Sequence, residues 1–358
     1  MLYSVNLLQG GSTGKAFFQL LSMNDSLLIP AEEMKEVFLS ILLKYQFEKE
    51  RAETCGAVYT ENSIDGVYTH GVNRFVSFIQ LVEKEFIFPN NEPELIHASN
   101  ALEQWDGKLA PGVLNAIKST DRAVQLAKQN GIGCVALANT NHWMRGGYYG
   151  WRAAKNNCVF IGWTNTIANM PAWGAVDARL GNNPLVISIP YGEEAIVLDM
   201  AASQFSYGAL ELAKMRNKEL PVDGGFDKEG QLTKNPAAII ESQRVLPVGY
   251  WKGAGLSLLL DILSAVLSSG LSTHEISKKK DEFALSQVFI AIDLQQLKNY
   301  KGIEACIHNI VSDYKHSIAA EGKEILYPGE RVLKSRERNL MNGIPVIKSV
   351  WERIETFL

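Results

Sequence analysis

Asn130-Gly131-Ile132-Gly133-Cys134-Val135-Ala136-Leu137-Ala138 is the stretch that decides the fold. From Gly131 to Ala136 it satisfies G-x-G-x-x-A, the string that opens a dinucleotide-binding βαβ unit. That string works only when a strand precedes the glycines and a helix follows, because the pyrophosphate sits on the helix N-terminus. Here the order is reversed. Upstream, Pro111 opens a helical pattern that turns Val113, Ile117, Val124 and Ala127 to one side and stops at Asn130-Gly131. Downstream, Ile132 to Ala138 is a short apolar run, the mark of a buried strand. Gly131 therefore reads as a left-handed helix C-cap, and a Rossmann domain is excluded.

Outward from this point the pattern is mixed. Short apolar runs recur at Cys158 to Thr164, Leu185 to Ile189, Ala195 to Met200 and Val288 to Ile292, each with strand length and composition. The middle pair, joined by Pro190-Tyr191-Gly192-Glu193-Glu194, reads as a hairpin, so part of the sheet is antiparallel. Toward the N-terminus, Pro30 with Glu32 and Glu33 starts a helix whose Met34, Val37, Phe38, Ile41, Leu42 and Tyr45 share one face. Beyond Gln296 helical composition returns. The expectation is an α/β fold: a non-Rossmann mixed sheet with flanking helices, and a helical region built from the N- and C-terminal segments.

Composition bounds the function. The chain has 358 residues, 46% hydrophobic, enough for one large or two ordinary globular domains. A net charge of −4 gives no footprint for nucleic acid or anionic lipid, and Lys278, Lys279 and Lys280, the only basic run, read as a solvated loop or helix end. The apolar stretch Leu256 to Leu267, interrupted by Asp261, is shorter than the roughly 20 residues of a membrane span and reads as a buried helix. Cys55, Cys134, Cys158 and Cys306 lack metal-ligand spacing and read as free thiols of a reducing cytoplasm. Gln9 to Ala16 fails as a phosphate loop, since Gln9 stands where the first glycine is needed and Ala16 where Ser or Thr would hold magnesium. Met23 is an alternative start. No H-E-x-x-H appears, which leaves zinc-dependent hydrolysis without support.

Several clusters look like chemistry. In Tyr68-Thr69-His70-Gly71-Val72-Asn73-Arg74-Phe75, His70 and Arg74 are four apart and would address one ligand from a helix, a carboxylate on the guanidinium beside a proton donor. The same pattern suits a packed histidine and a surface ion pair. Asn141-His142-Trp143-Met144-Arg145-Gly146-Gly147 follows a buried strand with a composition unsuited to a core, and its glycines permit close backbone approach. Trp163-Thr164-Asn165-Thr166 and Asp199-Met200-Ala201 also end strands. Trp251-Lys252-Gly253-Ala254-Gly255 puts a lysine and bare amides before the helix from Leu256, a combination suited to a cofactor phosphate. His97, His274, His308 and His316 have no partner spacing.

These loops, with Glu103-Gln104-Trp105-Asp106, Phe205-Ser206-Tyr207-Gly208 and Leu220-Pro221-Val222-Asp223-Gly224-Gly225-Phe226-Asp227, make the chain from about Leu27 onward resemble the family of malate, L-sulfolactate and ureidoglycolate dehydrogenases. The resemblance implies a cytoplasmic homodimer that uses NAD, with NADP the alternative, to reduce the C2 carbonyl of the sugar acid 2,3-diketo-L-gulonate to 3-dehydro-L-gulonate. It implies no nucleic-acid or membrane partner. By position, His70 becomes the proton donor, with His142 orienting or substituting for it, since relatives differ over which histidine is the acid. Arg74 and Arg145 bind substrate. Thr166, Ala195, Ile196, Val197, Leu198, Asp199, Met200, Ala201, Trp251, Lys252, Gly329, Glu330 and Arg331 hold the dinucleotide. Thr69 replaces the usual serine but keeps a hydroxyl, and Pro328-Gly329-Glu330-Arg331 departs from the family pattern.

The segments then divide as follows. Residues 1–26 form an extension without a counterpart in the family, and 27–110 a helical segment carrying the acid and substrate residues. Residues 111–300 form the cofactor-binding sheet, and 301–358 a helical segment packing with the first. Another small 2-oxo or 2-hydroxy acid, or a cyclic imine, remains an alternative substrate. A non-catalytic sugar-acid binder is the alternative of a different class.

Overall fold

The computed structural model describes residues 26–358, so the readings of Gln9 to Ala16, of Met23 and of the extension before Ser26 lie outside the described residues. The first element, β1 (Ser26–Ile29), precedes α1 (Ala31–Lys44), which buries Met34, Phe38, Ile41 and Leu42 as its spacing predicts. Next, α2 (Lys49–Ile64) runs into a 3-10 turn over Tyr68–His70 and then α3 (Val72–Glu83). The rings of Phe38 and Phe75 stack at 4.0 Å between centroids to hold α1 on α3. His70 and Arg74 are thus not on one helix: Gly71 separates the 3-10 turn from α3.

The sheet is built from β2 (Glu94–Ser99), β3 (Leu102–Asp106), β4 (Ile132–Thr140), β5 (Cys158–Thr164), β8 (Leu185–Tyr191), β9 (Glu194–Met200) and β12 (Leu285–Asp293). Short β6 (Met170–Pro171) and β7 (Ala178–Leu180) pair outside it. Its order is β2-β3-β4-β12-β5-β8-β9, and only β3 and β4 run parallel. The β8–β9 hairpin is tighter than the sequence suggests. Tyr191 pairs with Glu194, leaving Gly192 and Glu193 as the turn, with Gly192 at φ +59°.

Helices α4 (Gly112–Asn130) and α5 (Gly146–Ala154) cover one face, packing Ala123, Leu126, Tyr149 and Ala153 on Val135, Leu137, Phe160 and Phe289. Both glycines of the G-x-G string have structural work. Gly131 caps α4 at φ +84°, and a Cβ on Gly133 would lie 2.1 Å from the Ala123 carbonyl oxygen, so its bare backbone lets α4 lie close on β4.

Between β9 and the opposite face lie α6 (Tyr207–Met215), β10 (Gly225–Phe226), β11 (Leu232–Thr233) and α7 (Pro236–Ser242), a unit with its own small core. The opposite face of the sheet carries α8 (Trp251–Ser268), whose Leu260 packs on Ala136, Trp163 and Val288. Two expectations fail here. Trp251 and Lys252 are in the first turn of α8 rather than ahead of it, and the helix is not buried: Leu258, Leu259, Ile262, Leu263 and Val266 face outward at 42–67% exposure. It is the one helix among the described residues long and apolar enough to cross a membrane. Its inner face is pinned to the sheet, where the Asp261 carboxylate accepts from Asn165 and from the Thr273 N–H.

After α9 (Thr273–Ile276) and β12, the chain ends in α10 (Tyr300–Lys315), α11 (Glu330–Asn342), β13 (Ile344–Ile347) and α12 (Lys348–Glu355). Strand β13 pairs antiparallel with β1, and α12 packs Trp351 and Ile354 into the core of α1–α3, so both ends of the described chain share one cluster. This framework fixes the turn that carries His70.

Candidate active site

The His70 turn is held from beneath by α2. The Asn62 amide donates to the His70 carbonyl at 3.0 Å, and Ser63 Oγ accepts the Val72 N–H at 2.9 Å. A Cβ on Gly71 would stand 2.3 Å from Ser63 Oγ, so glycine lets the turn approach the helix. The His142 loop is fixed separately. The Asn141 amide donates to the carbonyls of Phe86, Leu109 and Ala110 at 3.0–3.1 Å, while Gln287 donates to the Asn141 carbonyl. Two rigid supports from distant parts of the chain thus bring the imidazoles to 5.7 Å between ring centroids.

Both rings line one cleft of about 230 Å³ together with Thr69, Arg74 and Asn73 on one side and α6 on the other. Their second nitrogens differ. The Met144 N–H donates to His142 Nδ1 at 2.9 Å, which makes that nitrogen an acceptor and leaves the proton of the neutral ring on Nε2. His70 Nδ1 lies 2.9 Å from Thr69 Oγ1, a hydroxyl that can donate or accept, so His70 is free to present either a lone pair or a proton at Nε2.

Burial, reinforced by the guanidinium charges of Arg74 and Arg145, brings the His70 pKa down to about 4. Burial also carries His142 well below its ordinary value, helped by Arg74 and His70. Both rings are therefore neutral at pH 7. Arg74 is partly exposed in the cleft, 3.8 Å from the Glu282 carboxylate, which also accepts the Ile167 N–H. That long contact leaves the guanidinium open to a second carboxylate.

Arg145 is placed differently from the sequence expectation. It is 4% exposed, paired with Asp65, and its guanidinium lies 4.6 Å over the Trp151 ring, so it does not line the cleft with Arg74. Asp65 also binds Arg336 of α11 at 2.7 Å. Arg145 acts on His70 through its field and through the loop it anchors. Asp65 and Arg336 carried no motif that would have flagged them.

The expected cofactor residues form a continuous strip. Val197 N–H of β9 donates to the Pro328 carbonyl at 2.9 Å, and a Cβ on Gly329 would lie 3.2 Å from Val197 N. At the end of β9, the Ala202 carbonyl accepts the Val248 N–H, and a Cβ on Gly253 would lie 2.7 Å from that carbonyl oxygen, which brings the first turn of α8 against the strand. Between these points Asp199 accepts the Gly147 N–H at 2.8 Å, and the protein packed around its carboxyl raises its pKa against the opposing pull of Arg145. Lys252 is exposed and has no ion pair among the described residues. Ala195 and Val197 point into the core, while Ile196, Leu198, Met200 and Ala201 are half-buried. Thr166 is buried among Asn182 and Asn183. Glu330 is committed to Lys315 and to the Tyr327 N–H, which leaves Arg331, exposed, and the Gly329 backbone as the free part of that segment.

Glycine backbones on both flanks of β9, an unpaired lysine in the first turn of an 18-residue helix and only two carboxylates among the expected residues, Asp199 and the Lys315-paired Glu330, suit an elongated, phosphorylated cofactor. The site lacks the strand-to-helix glycine loop of the Rossmann unit. Among the described residues no group of three His, Cys, Asp or Glu could hold a metal ion.

Comparison with known proteins gives the family and the fold. The sequence profile described as "Malate/L-lactate dehydrogenase" matches residues 29–355. The chain is 44% identical over 326 residues to the 2,3-diketo-L-gulonate reductase of Citrobacter koseri, covering 90% of this chain and 98% of that protein. It is 44% identical over 327 residues, with the same coverage, to the enzyme of that name from Escherichia coli strain K12. Among solved structures, sulfolactate dehydrogenase from Methanocaldococcus jannaschii superposes with a TM-score of 0.83 at 27% identity, covering 92% of this chain and 96% of that one. Malate dehydrogenase from Entamoeba histolytica superposes at 0.89 with 24% identity, over 93% and 97% of the two chains, which bears on the fold alone. The mixed sheet with flanking helices is thus the fold of these dehydrogenases.

Proposed function

This chain belongs to the malate/L-lactate dehydrogenase family, and within it we propose that it reduces 2,3-diketo-L-gulonate at C2 to 3-dehydro-L-gulonate. It is an oxidoreductase, and its family implies a nicotinamide cofactor. The substrate reading rests on one observation: 44% identity across nearly the whole length of proteins bearing that name, in a chain whose Arg74 and paired histidines share one cleft. NADH is the proposed reductant, with NADPH the alternative.

In this reading the dinucleotide is held along the strip from Gly329 and Arg331, past Val197 and Asp199, to Trp251 and Lys252, with Thr166 at its edge. Bound there, it supplies a hydride. The rest falls to the chain's own side chains. Arg74 takes the C1 carboxylate, exchanging its long contact with Glu282 for a close charge-assisted one. His142, its proton fixed on Nε2 by Met144, donates a hydrogen bond to the C2 oxygen and orients it. His70, whose Nδ1 partner is an adaptable hydroxyl, delivers the proton that the developing alkoxide needs. His142 is the weaker candidate for that role, because giving up its Nε2 proton leaves an imidazolate unless Nδ1 takes a proton, and Nδ1 already accepts the Met144 N–H.

We also infer a homodimer. The exposed residues Leu258, Leu259, Ile262, Leu263 and Val266 form one apolar face of α8, the kind of surface that a second copy covers. The four unpaired cysteines support a cytoplasmic location. The test of the substrate assignment is steady-state oxidation of NADH and NADPH with diketogulonate, pyruvate and oxaloacetate. The highest kcat/KM is expected for diketogulonate. No turnover of it would sink the assignment.

A further inference from the structure

We propose that Glu211 determines specificity, admitting a 2-oxo acid that carries one carboxylate and a hydroxylated tail and turning away one with a second anionic group. The inference deepens the substrate reading above and rests on it for the identity of the tail. It begins with Gly208. A Cβ there would stand 2.6 Å from both Cβ and Cγ2 of Thr69, so the start of α6 lies directly on the residue preceding His70. Glu211, Leu212 and Met215 follow at i+3, i+4 and i+7, on the same face of α6, and all line the histidine cleft. Across from them α3 contributes Asn73 and, one turn further, Ser77.

Both helices run away from the histidines, so the order along the cleft is fixed by topology. The imidazoles stand at one end, and Asn73, Arg74 and Ser77 of α3 and Glu211 of α6 line the cleft leading away from them. Arg74 is the only lining side chain that is always cationic. Arg145 lies behind the wall, its charge already matched by Asp65. One carboxylate therefore finds a partner. A second anion, as in oxaloacetate, meets Glu211 with no cation but Arg74 lining the cleft, Lys214 and Lys218 lining the neighbouring pocket instead, whereas a chain of hydroxyls can donate to that carboxylate and bond with the amide and hydroxyl of α3. Glu211 is exposed, so its replacement leaves the core untouched.

The experiment measures kcat/KM for diketogulonate, pyruvate and oxaloacetate with the full-length wild type, Glu211→Gln and Glu211→Lys. Removing the carboxylate is expected to raise the oxaloacetate-to-pyruvate ratio by roughly tenfold, the size of one like-charge contact at a partly exposed site. Lysine should raise it further, and diketogulonate should lose several-fold through KM in both variants. An oxaloacetate-to-pyruvate ratio unchanged in both variants overturns the proposal. If wild type fails to reduce diketogulonate, the functional reading falls with the hydroxyl half of this inference. The pyruvate and oxaloacetate pair still judges the charge half, and turnover of none of the three overturns both.

Discussion

Reduction of a 2-oxo acid consumes a proton, and the structure holds its proposed donor in the wrong state to give one. With its pKa near 4, His70 is protonated in roughly one molecule in a thousand at pH 7, three units above that value. The free enzyme's kcat/KM for reduction should therefore fall about tenfold per pH unit above the His70 pKa, and about a hundredfold between pH 6 and pH 8. The reverse reaction uses the neutral ring as base, and its kcat/KM should stay level over the same range. The profile of kcat should differ from that of kcat/KM. A substrate carboxylate on Arg74 cancels the nearest cationic field and adds a negative charge, and one such contact at about 4 Å in partly screened surroundings is worth roughly 1–4 kcal/mol. That lifts the pKa in the complex by about one to three units.

The assay is a set of pH profiles in both directions, with His70→Ala as the control. The variant should lose at least about a hundredfold in kcat while retaining NADH binding. Parallel profiles in the two directions, or a variant within a few-fold of wild type, would refute the assignment of His70 and move the proton to His142.

The same depressed histidines make the fold acid-sensitive. Because the His70 pKa is lowered on folding, the unfolded chain binds more protons between about pH 4 and 6.5, so stability is full above that window and is lost as pH falls through it. The loss is up to roughly 3 kcal/mol for His70, with His142 adding in the same sense, and urea titrations of wild type and His70→Asn across the window should show the smaller slope in the variant. Asp65→Asn leaves Arg145 buried without its counter-charge and weakens the hold on Arg336. It should cost about 3–5 kcal/mol in the same denaturation assay. Gly208→Ala forces a methyl against the stiff Thr69 side chain. It should lower kcat/KM by at least roughly tenfold with little change in melting temperature, because α6 must back away from the cleft. Replacing Leu259 and Val266 together by glutamate should shift the sedimentation coefficient from dimer to monomer, and an unchanged value removes α8 as the interface.

The sheet was legible because its strands obey local rules. Ile132 to Ala138 and Cys158 to Thr164 are continuous apolar runs in the sequence, and apart from exposed Ile132 they lie between α4 and α5 on one side and α8 on the other. The hairpin of Leu185 and Met200 announced an antiparallel sheet for the same reason. What failed was burial on the outer face of α8. Leu256 to Leu267 is apolar on all sides, and apolarity alone does not distinguish a helix covered by its own chain from one awaiting another. The pairing of β1 with β13 was also invisible, since four-residue strands separated by more than three hundred positions carry no periodicity to read.

The site was half legible. Loop composition singled out His70, Arg74 and His142, and the family resemblance added Arg145 by position, which says nothing about which way a guanidinium turns. Asp65 settles that question from eighty positions away. The roles of the two histidines depend on still finer detail, a backbone N–H on one Nδ1 and a hydroxyl on the other. In the proposed mechanism these contacts would set a division of labour that the string H-G-V-N-R cannot encode. A ring locked as donor holds the oxygen still, and a ring with an adaptable partner can change protonation state. In the proposed mechanism the depressed pKa values become useful rather than obstructive: the two rings stay neutral while the site is empty, and a substrate carboxylate on Arg74 would call in the proton that its reduction requires. Proton loading would thereby be tied to the presence of a monoanion, which is why a single arginine in the cleft, held only by its long contact with Glu282, suits this proposed chemistry better than two.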